Sequence, residues 1–212
     1  MAPGSDEPPG ERYGQKIMNQ PWNSFAELAG RRRSNLRIDP DRAVDPELLE
    51  RLIRTAATAP NHHRTSPWRF RIITGEGRRG LGEALASDLS SDLPGGSAAA
   101  VDAAKVSKAR AKYLRAPVMV AVASRAGADA VTTIENRDAV AAAIQTLLLA
   151  ATDAGLASLW STGAAVTSPS VARFCGFDPS DSILGLIYLG WPTAQLDDIH
   201  RPAPEISWID GA

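Results

Sequence analysis

The chain of 212 residues contains one cysteine, Cys175. An internal disulfide is therefore excluded, and the composition suits a reducing compartment such as the cytoplasm. Cys175 lies between Phe174 and Gly176 near an expected helix end, a setting for a buried structural thiol rather than a nucleophile. Neither Cys-X-X-Cys nor His-Glu-X-X-His occurs, so no metal site is expected. Long hydrophobic runs are missing too. The longest, Ala139 to Leu149, contains Gln145 and falls well short of the ~20 residues a membrane helix needs. The N-terminus lacks the basic-then-apolar succession of a signal peptide. Neither sign of charge dominates. With 23 Lys and Arg against 24 Asp and Glu the net charge is −1, which offers no global field for nucleic acid or an anionic membrane. No Gly-X-Gly-X-X-Gly follows the first expected strand and no Gly-X-X-X-X-Gly-Lys-Ser/Thr is present, so neither a Rossmann unit nor a P-loop is supported. A serine hydrolase is equally unsupported. There is no Gly-X-Ser-X-Gly, and the candidate bases are His62, His63 and His200 alone.

What is present is an ordinary globular composition, 44% hydrophobic and 22% charged, in a chain long enough to bury a core. Residues 1–23 are rich in proline and glycine and read as a flexible arm. Order is expected from Ser24, where Ser24 and Glu27 form a capping box. Phe25, Leu28 and Ala29 share one side of a helix that ends near Arg32. Arg31–Arg33 then sit where cations suit the helix dipole. The alternative is that the arginines and the hydroxyl of Ser34 hold an anion such as phosphate. Asp45-Pro46 starts a second helix, and Leu48, Leu49, Leu52, Ile53, Ala56 and Ala57 recur at helical spacing. Ala59-Pro60 ends it, and a polar loop over 61–66 leads to Pro67-Trp68. One helix separates the basic cluster from this loop, a spacing that can bring both to one site.

Trp68 to Thr74 reads as a strand. A polar, alanine-rich helical region follows, breaks over Leu93–Ala98 and resumes from Ala99 to Leu114. Such an excursion is a candidate lid. Pro117 to Ser124 is a continuous apolar strand, expected to be buried on both faces. Thr133 to Ala154 is the longest helix. Its small residues, Ala139, Ala142, Ala143 and Ala150, suit close packing at the centre of the molecule or at a subunit interface. Gly155 is a left-handed cap. Strands over Leu156–Thr162 and Ile183–Gly190 flank a short helix that starts at Ser168-Pro169 and stops at Gly176. After Trp191-Pro192 the tail reads as an extended arm. Four apolar strands require helices on both faces, an α+β arrangement.

Taken together, Arg32-Arg33-Ser34, the helix start at Asp45-Pro46, Ala59-Pro60 six residues before Pro67-Trp68, and Arg69-Phe70 resemble the N-terminal half of the FMN-dependent nitroreductase family. The resemblance continues through Glu135, Leu147–Ala151, Gly155–Gly163 and Gly185–Gly190, and covers about Ser24 to Pro192. It is nearest to the small single-domain bacterial branch, in which Trp-X-Ser/Thr-Gly ends a strand.

The resemblance implies a nitroreductase-like central sheet with helices on both faces, in an intertwined homodimer with FMN at the interface. It implies a flexible arm at 1–23, an FMN-binding domain at 24–192 and an extended C-terminal arm at 193–212 that packs on the partner subunit. The implied activity takes a hydride from NADH or NADPH and passes it by a ping-pong route to a nitro compound, a quinone or a related small acceptor. Flavin N5 would carry the hydride, so no catalytic acid or base is assigned. A flavoprotein of the same fold with oxidase or dehalogenase-like chemistry, or a non-catalytic flavin sensor, is the alternative. The implied cofactor-binding residues are Arg32, Arg33 and Ser34 at the phosphate, His62, Arg64 and Ser66 in the loop, and Trp160, Ser161 and Thr162 at the strand end. Many relatives have Asn-X-Gln-Pro-Trp in the loop. Here Ser66 replaces the amide and Arg64 adds a charge, which could stand in for an arginine that close relatives carry in place of Thr58.

Overall fold

A computed structural model describes residues 23–91, 99–194, 196–197 and 200–209. Residues 1–22 of the expected N-terminal arm and the expected break over Leu93–Ala98 lie outside the described residues. The elements in chain order are α1 (Asn23–Arg31), α2 (Pro46–Ala56), β1 (Trp68–Thr74), α3 (Gly77–Ser91), α4 (Ala99–Ala111), β2 (Val118–Ser124), α5 (Ala130–Asp153), β3 (Ala157–Ser161), α6 (Pro169–Phe174) and β4 (Ser182–Gly190).

Local chemistry explains most of these boundaries. Asp45 accepts from the Glu47 amide at 2.8 Å and Pro46 opens α2. Ser168 caps α6 by accepting from the Val171 amide, with Pro169 in the first turn. Gly155 has φ +77, the left-handed value that a helix end requires and a Cβ opposes. Two boundaries differ from expectation. Asn23 is already helical, so Ser24 stands inside the first turn of α1 and not at its cap. The long helix begins at Ala130, where Asp129 accepts from the Thr132 amide at 2.7 Å. Val131, Thr132 and Thr133 are β-branched and mask the helical start in the sequence.

The sheet order is β1-β2-β4-β3 and every pairing is antiparallel. β2 is buried along its whole length. Its alternate residues serve two cores, as a pleated strand must. Met119, Ala121 and Ala123 face a cluster with Leu81, Leu85, Val106, Tyr113 and Val171, on the α3, α4 and α6 side. Val118, Val120 and Val122 face Leu49, Leu52, Val140, Ile144 and Leu147 of α2 and α5. Both faces are therefore covered. The lid expectation for 75–114 is not met: α3 and α4 supply one of the two cores.

β4 carries an irregularity that bears on the site. Val122 pairs with Gly185 and Ala123 with Ile183, so Leu184 is an extra residue in the ladder. The bulge resets the alternation and sends Ile183 and Leu186 to one core, Leu184 and Ile187 to the other. The Leu184 carbonyl accepts from Trp160 Nε1 at 3.0 Å. The indole lies directly over Gly185, where a Cβ would come within 2.2 Å of Nε1.

Asp88 of α3 ties α6 in place. Its carboxylate accepts from the Ser170 amide at 3.0 Å and from the hydroxyls of Ser168 and Ser170. Partial burial raises its pKa, but these hydrogen bonds and Arg173 outweigh it and hold the carboxyl below its ordinary value. Cys175 is 6% exposed, and burial pushes its thiol up to about 11, which suits a structural role.

Two outcomes are expected. Gly185→Ala should cost about 1–3 kcal/mol by forcing the indole aside. Urea denaturation measures it, and adding Trp160→Phe should recover part of the loss. Asp88→Ala should lower stability at neutral pH by about 1 kcal/mol, the usual worth of a capping oxygen. Because the folded pKa is depressed, that contribution is complete above the unfolded value near 4 and disappears as pH falls through the folded value. Melts of the two proteins should converge in acid, and a gap independent of pH would show that the carboxylate charge is not what matters.

Candidate functional site

β3 is an edge strand, and its outer side is where the basic cluster arrives. Ser34 bridges Ser158, and the Asn35 amide donates to the Ser158 carbonyl at 2.9 Å. The chain then leaves. Asn35 Oδ1 accepts from the Arg37 amide at 2.8 Å, an Asx turn that directs residues 37–39 to Trp191 and Pro192. The turn exposes the rest of the edge. Since the Ser158 backbone groups point away from β4, those of Trp160, two residues on, point the same way. No described residue hydrogen-bonds them. From Ser158 to Thr162 is four residues, about 13 Å of strand.

At the Ser34 end, Arg32 and Arg33 are half-buried and Arg31 is exposed. Arg33 donates to the Asp197 carbonyl. Arg201 donates at 3.0 Å to each of the Gly30 and Arg32 carbonyls, capping the end of α1. These contacts of the C-terminal arm are with its own chain. The Arg32 guanidinium makes no hydrogen bond or ion pair with the described residues. At the far end, Ser161 is half-buried, Thr162 is exposed, and Gly163 follows at φ +85. Trp160 is half-buried, its indole N–H already given to Leu184.

The loop after α2 is held tightly. Asn61 Oδ1 accepts from the Ser66 amide at 2.8 Å, and its Nδ2 donates to Thr65 Oγ1 at 3.1 Å. Thr65 donates to Asn136, which is 1% exposed, and Asn136 donates to the Arg125 carbonyl at 3.1 Å. Arg125 in turn donates to the Thr65 carbonyl. This network holds His63, Arg64 and Ser66 at φ +58, +51 and +48, conformations that each cost a non-glycine residue about 1–3 kcal/mol. His62 Nδ1 lies 2.9 Å from Glu135 Oε1, and the His63 ring stacks on His62 with centroids 3.7 Å apart. No metal motif signals this in the sequence, yet ligand atoms of His62, His63 and Glu135 all lie within 4.8 Å of one another. Asn136 and Arg125 went unnoticed in the sequence reading. A buried asparagine in a long helix is visible as such only when its partners are.

Within one chain the loop and the basic cluster lie apart. The loop packs on α5 at Glu135 and Asn136, whereas Arg31 shares a cavity with Asp153, and Arg33 one with Thr152. Asn136 and Thr152 are sixteen residues apart on one helix, about 24 Å. A straight helix cannot bring its two ends together.

A cavity of about 750 Å³ opens beside the strand end. Thr162, Arg137 of α5 and Arg173 of α6 line it, over apolar walls that include Val166, Phe177 and Leu184. Sequence reasoning missed Arg137, whose position on a helix face gives no sign of the β3 terminus nearby.

The model of the Nitroreductase family matches residues 29–191. YdjA of Escherichia coli strain K12, provisionally named an NAD(P)H nitroreductase, is 30% identical over 187 residues, which cover 86% of this chain and 98% of YdjA. The structure of a nitroreductase-like family protein from Bacillus cereus superimposes with a TM-score of 0.72 at 25% identity, covering 86% of this chain and 95% of that one. A nitroreductase from Bacteroides fragilis with bound FMN shares the fold, with a TM-score of 0.69 at 21% identity over 89% of this chain and all of its own. With a family model spanning both the β3 edge and the loop, and a relative matched over nearly its full length, the chain belongs to the nitroreductase family.

Proposed function

We propose that the chain is an FMN-dependent oxidoreductase that takes a hydride from NADH or NADPH and delivers it, in alternating half-reactions, to a nitro compound, a quinone or a related small acceptor. The observation that carries this reading is the edge of β3 that no described residue pairs, with Arg32 at one end and Thr162 at the other. An extended phosphate ester with a flat polar ring needs cationic donors at one end and backbone groups at the other, and the edge offers both. Arg32 and Ser34 would hold the phosphate, with Arg33 available if it releases Asp197. The Trp160 backbone and the Ser161–Thr162–Gly163 turn would meet the ring. What bound FMN supplies is a ring that accepts and releases a hydride at N5. The chain supplies placement and a dry wall, and no side chain is assigned a proton.

The separation of loop and basic cluster supports a homodimer. His62, Arg64 and Ser66 can reach such a cofactor only from a second subunit. α5 has the surface for that pairing. Val131 and Ile134 are 65% and 60% exposed near its start, and Ala141 and Ala142 are half-buried. The FMN in the Bacteroides fragilis relative and the name of YdjA agree with this reading.

The decisive experiment is the visible spectrum of the purified protein, followed anaerobically. A flavin spectrum should bleach with NADH or NADPH and return when a quinone or nitro compound is added. Colour that persists with both nucleotides would shift the reading to a flavoprotein of other chemistry, and failure to take up FMN would refute it. Arg32→Ala should weaken FMN binding roughly ten- to a hundredfold, the worth of one charge-assisted phosphate contact. Flavin fluorescence titration reads this directly, and unchanged affinity would remove Arg32 from the phosphate site.

A further inference from the structure

The cavity beside Thr162 has a charge pattern that the flavin reading does not use. Its floor is formed by the β4 bulge. Ile183 and Leu184 line it and are 7% and 6% exposed. Phe177, 7% exposed, and Val166 add apolar wall. Three charged side chains line this surface, and two of them are engaged. Arg173 donates to Ser170 Oγ at 2.7 Å, and Asp181 accepts from the Asp178 amide at 3.1 Å. The third, Arg137, makes no hydrogen bond or ion pair with the described residues. An apolar slot with one uncommitted guanidinium at its wall has a defined complement, a flat apolar body that ends in a carboxylate.

We propose that this cavity is the acceptor subsite and that it selects planar acceptors carrying an anionic group, with Arg137 binding the carboxylate. The proposal rests on the flavin reading, because it is the shared Thr162 that places the slot at the ring end of the β3 edge. The apolar wall fixes the plane of the acceptor, and Arg137 fixes which end enters first. A guanidinium suits this task better than an ammonium because its planar fork matches both oxygens of a carboxylate. Arg137 is exposed in the single chain and belongs to neither core cluster, so its replacement leaves both cores intact.

The test compares two ligands of one shape, 4-nitrobenzoate and the neutral 4-nitrobenzamide, by calorimetric titration of the full-length protein loaded with FMN. The wild-type protein should bind the benzoate at least about tenfold more tightly than the amide, as one charge-assisted contact predicts. Arg137→Gln should abolish that preference and leave amide binding unchanged. Arg137→Lys should restore part of it. Equal binding of the two ligands by the wild-type protein would overturn the proposal. So would a preference that survives Arg137→Gln, or one that is lost only in Arg173→Gln. The flavin reading fails separately. If the protein takes up no FMN yet keeps an Arg137-dependent preference for the benzoate, the slot is an anion site and its role as an acceptor subsite is overturned.

Discussion

An edge strand leaves one side of its backbone without partners, and a protein must cover those groups or use them. Here the first part of β3 is covered by Ser34 and Asn35, and no described residue hydrogen-bonds the part at Trp160. One hydrogen bond, from the Arg37 amide to Asn35 Oδ1, marks the change, because it turns the covering segment away. Had the chain continued alongside β3, it would have sealed the edge as a fifth strand. The arginines would then have been helix-end cations with no ligand to meet. The placement of Arg32 at one end of this strip of edge backbone is what supports the phosphate-binding role proposed for the basic cluster.

The bulge in β4 is the second half of the same construction. It inserts Leu184, turns that carbonyl toward the Trp160 indole and sets Gly185 beneath the ring. Trp160 is thereby tied to β4 by its N–H, and in the proposed flavin site it would offer backbone and a wall instead. The bulge also forms the floor of the cavity that Arg137 and Thr162 share. Core packing and the shape of the site thus follow from one extra residue in one strand.

α5 acts as a spacer. Its 24 residues hold the strained loop at one end and the basic cluster at the other. A rigid rod of that length keeps the two apart within one chain, which is why the proposed flavin site draws on a second copy. The left-handed residues of the loop are maintained by Asn61, Asn136 and Arg125, so the loop is shaped within a single chain.

Much of this was legible in the residues. Asp45-Pro46, Gly155 and Ser168-Pro169 mark helix ends by chemistry that acts within one turn, and the continuous apolar run of β2 announces a strand buried on both faces. The burial of Cys175 follows from its neighbours. The family resemblance followed from the order of short motifs. Other features were decided only by the tertiary structure, because they depend on partners distant in sequence. The excursion over 75–114 looked like a lid from its polar composition, but Leu81, Leu85, Val106 and Tyr113 turn to one face and complete a core. The start of α5 was hidden because β-branched residues suit a helix poorly until Asp129 caps it. Trp160 and Gly185 reveal their dependence only when strands 25 residues apart are paired. The distance between loop and basic cluster has the same origin. Sequence determined which local structures the chain can form, and long-range packing decided which of their ends meet.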